Sequence, residues 1–110
     1  MKTLETVNFI DEEHGVLTME QIKRISQEVF KEYNVEFCYL FGSYAKGKAN
    51  EKSDVDLLVS VPSDGLKFLE LVEMLRLKLK KKVDLLDFNQ LNNNPELTYE
   101  MLKDGIKIYE

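Results

Sequence analysis

The sequence predicts a single α+β (α/β) domain, in which helices pack on a small mixed β-sheet. Stretches with helical periodicity alternate with short apolar runs, in the order α-β-α-β-α-β-α. The length of 110 residues suits one domain, and 44% apolar and 32% charged residues are typical of a globular protein. No repeat or linker divides residues 1–110, and residues 1–17 are predicted to form an N-terminal arm or short strand.

Two long amphipathic helices are predicted. Thr18 and Gln21 have the spacing of a capping box, and the first helix is predicted to run over residues 18–34, where asparagine can end it. The second covers residues 66–81, after a break at residues 62–65. Their predicted buried faces are Ile22, Ile25, Val29 and Phe30 in the first helix, and Leu66, Leu69, Val72, Leu75 (or Met74) and Leu79 in the second.

Three strands are predicted from apolar runs rich in aromatic and β-branched residues. They cover residues 35–41, 54–61 and 83–88. A turn with one or two helical turns over residues 42–47 and a polar loop over residues 48–53 connect the first two strands. A short helix over residues 96–103 and an apolar segment over residues 106–109 complete the chain.

The chain is acidic and has one cysteine. A net charge of −5 argues against non-specific binding of nucleic acid or membranes through the whole surface. No stretch approaches the ~18 apolar residues of a membrane span, and no signal-peptide pattern opens the chain. Cys38 lies inside an apolar strand, so we expect a buried, inert thiol and no disulfide framework. These observations predict a cytoplasmic protein.

A glycine–serine pair follows the first strand. Gly42 lets the backbone approach a ligand closely, and free amides at a helix start attract phosphate, to which the Ser43 hydroxyl can donate. Lys46 follows about one turn later and can approach the same anion. On these residues alone, an ordinary helix cap and a solvated lysine are the simpler interpretation.

Acidic residues occur inside two of the predicted strands. Side chains alternate along a strand, so Asp54 and Asp56 should share a face about 6–7 Å apart. Their repulsion is about 2–3 kcal/mol at an effective dielectric of ~20. A neighbouring strand can bring Asp84 beside them, whereas Asp87 should face the opposite side as a strand-end residue. Three such carboxylates would hold two magnesium ions, one activating a hydroxyl and one gripping a triphosphate.

Together these pieces resemble the nucleotidyltransferases of the DNA polymerase beta superfamily. The closest resemblance is to the minimal nucleotidyltransferases (MNT), which are small catalytic domains. It covers about residues 21–109 and rests on three segments, Phe41-Gly42-Ser43, Asp54-Val55-Asp56-Leu57 and Val83-Asp84-Leu85. The resemblance implies the nucleotidyltransferase fold.

The resemblance also assigns roles to the site residues. It implies that Gly42 and Ser43 hold the triphosphate, that Asp54 and Asp56 bind the metal ions, and that Asp84 completes the metal site and acts as base for the acceptor hydroxyl. Members of the family commonly carry arginines after the serine. This chain has tyrosine and lysine instead, at positions 44 and 46, which keeps a positive charge but loses bidentate phosphate contacts.

The implied reaction is magnesium-dependent transfer of AMP from ATP to a hydroxyl acceptor, with release of pyrophosphate. Many relatives form the antitoxin half of a pair with an all-helical HEPN toxin, and they transfer AMP to a partner tyrosine or neutralise the partner by binding. The small size leaves no room for the substrate domain of larger relatives, so a macromolecular acceptor or a partner chain is expected. Two alternatives are a binding module without catalysis and an acidic cation site without catalytic use.

Two further features have more than one interpretation. The run Lys78, Lys80, Lys81 and Lys82 can complement the dipole at a helix C-terminus, or form an electropositive rim near Asp84 for nucleotide or RNA. The tyrosines are most simply packing residues, although one of them could receive AMP in self-modification. They are Tyr33, Tyr39, Tyr44, Tyr99 and Tyr109.

Overall fold

Four strands form one mixed sheet in the computed structural model, which describes residues 15–62, 65–91 and 94–110. The strands are β1 (Phe37–Phe41), β2 (Val55–Ser60), β3 (Val83–Asp87) and β4 (Ile106–Tyr109), in the order β3-β2-β1-β4 across the sheet. β1 pairs antiparallel with β2 and β4, whereas β2 and β3 are parallel. The predicted mixed sheet is confirmed, and the terminal apolar segment, which periodicity does not identify as a strand, is its fourth strand. Residues 1–14 of the predicted arm lie outside the described residues.

Helices occupy the connections between the strands. They are α1 (Met19–Glu32), α2 (Gly42–Ala45), α3 (Gly65–Leu79) and α4 (Pro95–Asp104), and a 3₁₀ turn covers Phe88–Gln90. The predicted α-β-α-β-α-β-α order is therefore confirmed, with β4 added at its end. Within the described ranges, none of these helices combines the length and the apolar character that a bilayer crossing requires.

Helix α1 begins and ends as the sequence predicts. Thr18 Oγ1 accepts a hydrogen bond from Gln21 N at 3.0 Å, and Gln21 Oε1 accepts one from Thr18 N at 2.8 Å, which completes the capping box. Beyond the helix, Asn34 has a left-handed backbone with φ of 57°. Ile22 and Phe30 are fully buried, so the predicted apolar stripe faces the core.

Helix α3 buries a different face from the predicted one. Leu75 and Leu79 are buried as predicted, and Leu71 joins them. Leu66 and Leu69, however, are 73% and 62% exposed, so the prediction is wrong at these two positions. The reason is that leucines lie on most sides of this helix, so their periodicity does not select one stripe.

The two faces of the sheet are covered unequally. The first face packs against α1 and α3 and forms the main core, which includes Leu40, Leu57 and Val59. The second face carries a smaller cluster of Leu58, Leu91 and Met101, the last from α4. Because side chains alternate along β2, the residue two positions before Leu58 also faces this second side. That residue is Asp56.

One polar side chain inside the main core lacks a partner, and it provides a test of the packing. Ser26 of α1 is fully buried, and its hydroxyl forms no hydrogen bond within the described part of the chain. Ser26→Ala should raise the free energy of unfolding by about 1 kcal/mol, because it removes an unpaired buried hydroxyl and improves helix propensity. Urea denaturation measures the change.

The matched control is another buried serine. Ser60 Oγ donates to Glu36 Oε1 at 2.6 Å, so Ser60→Ala should lower the free energy of unfolding by about 1 kcal/mol. A decrease of similar size in Ser26→Ala would mean that its hydroxyl does form a stabilising bond.

Candidate active site

The sheet register places two of the predicted acids side by side. In the parallel pairing of β2 with β3, Asp56 is the partner of Asp84. In the antiparallel pairing of β1 with β2, Asp56 is the partner of Phe41, which directly precedes Gly42. The glycine bend and the two acids therefore lie together, although they come from three separate segments.

The environment of Asp56 disfavours its ionised form. Partial burial raises the pKa of the Asp56 carboxyl above its ordinary value, and the negative charge of Asp84 and a hydrogen bond with the Asp84 carboxyl raise it further. The charge of Asp54 adds a smaller effect in the same direction. A cation at this point would relieve the repulsion among the carboxylates.

Gly42 fits closely against the Asp56 carboxylate. Its φ of 66° lies in the left-handed region that favours glycine. A Cβ atom added at Gly42 would overlap Asp56 Oδ2 and lie 3.2 Å from Asp56 Cγ. Any other residue here would meet both backbone strain and a steric clash, so the bend and the acid depend on each other.

A cavity of about 380 Å³ opens in front of this pair, between the second face of the sheet and the end of α4. Its polar lining residues are Gly42, Lys46, Asp56, Asp84 and Asp104, and its apolar lining includes Phe41, Leu86 and Met101. The structure thus brings together four of the six predicted site residues in one cavity.

Sequence reasoning did not identify the wall that α4 contributes to the cavity. Asp104 and Met101 line it because α4 packs on the sheet, which no local pattern reveals. One signal was available in Gly105, where a Cβ atom would overlap the Phe41 ring and lie 2.7 Å from the Met101 carbonyl oxygen. A glycine after a helix can indicate such a close approach.

The remaining two predicted residues lie beside the cavity rather than in its lining. Ser43 is the second residue of α2 and half-buried, and its carbonyl accepts a hydrogen bond from Lys48 N at 2.9 Å. Asp54 immediately precedes β2 and lines a second cleft, together with residues from the end of α3. It still lies near enough for its charge to act on Asp56.

The acids match one known mode of magnesium binding. Among the residues that the structure describes, no set of three or more histidine, cysteine or acidic side chains is arranged to hold a metal by itself. Magnesium, however, is usually bound through one or two carboxylates, and substrate phosphates and water complete its shell. Asp56 and Asp84 are adjacent hard-oxygen donors and fit that mode, with Asp54 nearby.

Two other predictions concern residues outside the cavity. Cys38 is fully buried, and burial raises the pKa of its thiol, so it is the inert core residue that the sequence predicts. Asp87 ends β3, and its Oδ1 accepts a hydrogen bond from Asn89 N at 3.0 Å, which caps the 3₁₀ turn. Its strand-end role is confirmed.

A glycine bend beside paired strand acids, on a small mixed sheet, is the arrangement that the resemblance to the nucleotidyltransferases implies, and comparison with known proteins identifies the same class. Residues 20–110 match the family model described as Polymerase beta, Nucleotidyltransferase. The chain belongs to this family, as its motifs predict.

Individual relatives support the same family assignment. The protein adenylyltransferase MntA of Thermococcus cleftensis is 42% identical over 78 residues, which cover 64% of this chain and 78% of that protein. A solved structure, provisionally described as a minimal nucleotidyltransferase, has a TM-score of 0.70 and 27% identity, with 82% of this chain and 95% of that chain covered. A crystal structure of a toxin–antitoxin complex with AMP-PNP has a TM-score of 0.66 and 25% identity, with 84% and 73% covered.

Proposed function

We propose that this chain transfers AMP from ATP to a hydroxyl group of a partner protein, in a magnesium-dependent reaction that releases pyrophosphate. The observation that carries the proposal is the close approach of Gly42 to the Asp56 carboxylate, next to Asp84, in the lining of one cavity. The naming of relatives as protein adenylyltransferases supports this acceptor class. The complex with AMP-PNP, an analogue of ATP, supports the nucleotide.

The residues of the cavity suit this reaction. Gly42 lets phosphate groups approach the backbone, with the Ser43 hydroxyl beside them, and Lys46 offsets their negative charge. Bound Mg²⁺, held by Asp56 and Asp84 with Asp54 nearby, would neutralise charge that develops on the phosphoryl oxygens. The acceptor oxygen bonds to the α-phosphorus, the bond from that phosphorus to the bridging oxygen breaks, and pyrophosphate leaves.

The proton of the acceptor hydroxyl goes to Asp84 in this proposal. Asp84 is exposed, whereas Asp56 is partly buried, so Asp84 is the acid that a hydroxyl from a second protein can reach. A base must come within hydrogen-bond distance of the proton that it removes. Accessibility therefore favours Asp84 over Asp56 for this role.

The partner follows from the family resemblance. We propose a HEPN-type helical toxin as the acceptor, with this chain as its antitoxin. The relative with 25% identity that occurs in a toxin–antitoxin complex supports this arrangement. The second candidate function is neutralisation of the same partner by complex formation alone, without chemistry.

Mass spectrometry after incubation with labelled ATP and magnesium tests the proposal. The chain is incubated alone and with the product of the adjacent gene, and we expect a mass gain of one AMP on that partner. Omission of magnesium should abolish the gain. Stable complex formation without AMP on either chain would favour the binding module instead.

A further inference from the structure

The four lysines at the end of α3 occupy two different environments in the structure. Lys78 lies in the helix and is exposed, whereas the three lysines that follow α3 turn into the second cleft, which contains Asp54. This cleft has a volume of about 580 Å³. Its charged lining residues are Lys52, Arg76, Lys80, Lys81 and Lys82 on the basic side, and Glu51 and Asp54 on the acidic side.

The charge of this basic cleft is opposite to that of the whole chain. Among the residues that the structure describes, its lining has an excess of three positive charges, in a protein with a net charge of −5. Cations in the last turn of α3 are explained by their favourable interaction with the negative end of the helix dipole. This interaction does not explain Lys52, which comes from the loop before β2, or Lys82, which adjoins β3. Cations from two separate segments therefore converge here.

Two of these cations already have partners in the protein. The Lys81 ammonium donates to the carbonyl oxygens of Gly15 and Glu51, so it joins the walls of the cleft, and Arg76 contacts Glu73 at 3.3 Å. The ammonium groups of Lys52, Lys80 and Lys82 form no ion pair within residues 15–62, 65–91 and 94–110. Glu51 and Asp54, in the same lining, offset only part of the positive charge of the cleft.

We propose that the basic cleft is a second polyphosphate site, separate from the cavity of Asp56 and Asp84. It would take the linked phosphate groups of pyrophosphate or of a second nucleotide. Lysine ammonium groups bind phosphate as compact point charges, and several of them around one cleft favour an anion with several charges. Since Asp54 lines this cleft and acts on the pKa of Asp56, the two sites are neighbours.

The proposal is tested by titrating the full chain with inorganic tripolyphosphate in the presence of EDTA. NMR and calorimetry detect the binding. Without metal, the carboxylates of the cavity repel the anion, so binding should report on the cleft. We expect saturable shifts of the amide signals of residues 51–54 and 80–82, with little change at Gly42 and Lys46. The titration contains neither metal nor ATP, so the result does not depend on AMP transfer.

Paired variants show whether position or net charge decides the binding. Lys80→Gln/Lys82→Gln should weaken tripolyphosphate binding at least tenfold, whereas Lys23→Gln/Lys31→Gln on α1, with the same net charge, should change it less than twofold. Equal losses in both pairs would overturn the proposal. A loss in Lys46→Gln without one in the cleft pair would also overturn it. Titrations with pyrophosphate and with ATP then identify which source of phosphate binds more tightly.

Discussion

Asp56→Asn is expected to reduce AMP transfer by about 10³-fold or more, and at the same time to make the protein more stable. The loss follows because the substitution removes one of the two adjacent carboxylates that fit a magnesium ion, and charge stabilisation supplies most of the rate enhancement in such reactions. The side chains have nearly the same shape, so the fold should be kept. Quantitative AMP-transfer assays measure the rate.

The gain in stability follows from the raised pKa of Asp56. A carboxyl with a raised folded-state pKa favours folding only while it is protonated, and the ionised form destabilises the fold. At low pH, below the unfolded value of ~3.9, both proteins should be equally stable. Above the folded-state pKa, Asp56→Asn should exceed wild type in free energy of unfolding, because asparagine avoids the burial of a charge and its repulsion with Asp84. Solvent screens both costs, so the gain should be at most about 1 kcal/mol, or roughly 4 °C in melting temperature.

Melting curves in EDTA at several pH values test whether Asp56→Asn is the more stable protein. Saturating magnesium should reduce the difference in melting temperature between the variant and wild type.

Asp87→Asn is the matched control for the transfer assay, because Asp87 faces the other side of β3 and asparagine also caps well. It should keep AMP transfer within threefold. Transfer by Asp56→Asn within tenfold of wild type would contradict the role of Asp56. Full neutralisation of a partner toxin by the inactive variant would favour the binding function.

Gly42→Ala should lower the free energy of unfolding by about 2–4 kcal/mol and abolish AMP transfer. A left-handed backbone costs about 1–2 kcal/mol for a residue with a Cβ atom. The overlap of this Cβ with the Asp56 carboxylate adds to that cost and displaces the acid from its place beside Asp84. Urea denaturation and the transfer assay measure both effects.

Gly47→Ala separates the two causes. Gly47 has a similar φ of 70°, but a Cβ atom there meets nothing within 4 Å. It should therefore show the backbone cost alone, about 1–2 kcal/mol, and retain transfer. Equal losses of stability in the two alanine variants would refute the clash with Asp56. A partial recovery in the double variant Gly42→Ala/Asp56→Ala would confirm it.

Local patterns were sufficient to predict most of the elements and part of the site. The capping box of Thr18 predicted the start of α1, and alternation along β2 separated Asp56 from the core residues around it. These signals depend on contacts within a few residues. Alternation also predicts that Asp54 and Asp56 share a face; Asp54 immediately precedes β2, lines the second cleft and lies near enough for its charge to act on Asp56.

Other features depend on contacts between distant segments. Asp104 enters the cavity only because α4 packs against Phe41, and β4 exists only because β1 offers it an edge. Four residues of apolar sequence do not reveal which edge they will join. The buried face of α3 was equally undetermined, because its exposed leucines match the buried ones in hydrophobicity.

The parallel pairing of β2 with β3 has a consequence for the order in which the strands form during folding. The β1–β2 hairpin closes over residues 42–54, whereas β3 can pair with β2 only after α3 has formed a crossover. A nascent chain that has completed the hairpin thus carries Asp56 without Asp84. If the proposed function holds, nucleotide and metal would recognise only the finished sheet, and they would stabilise the native state rather than the early steps of folding.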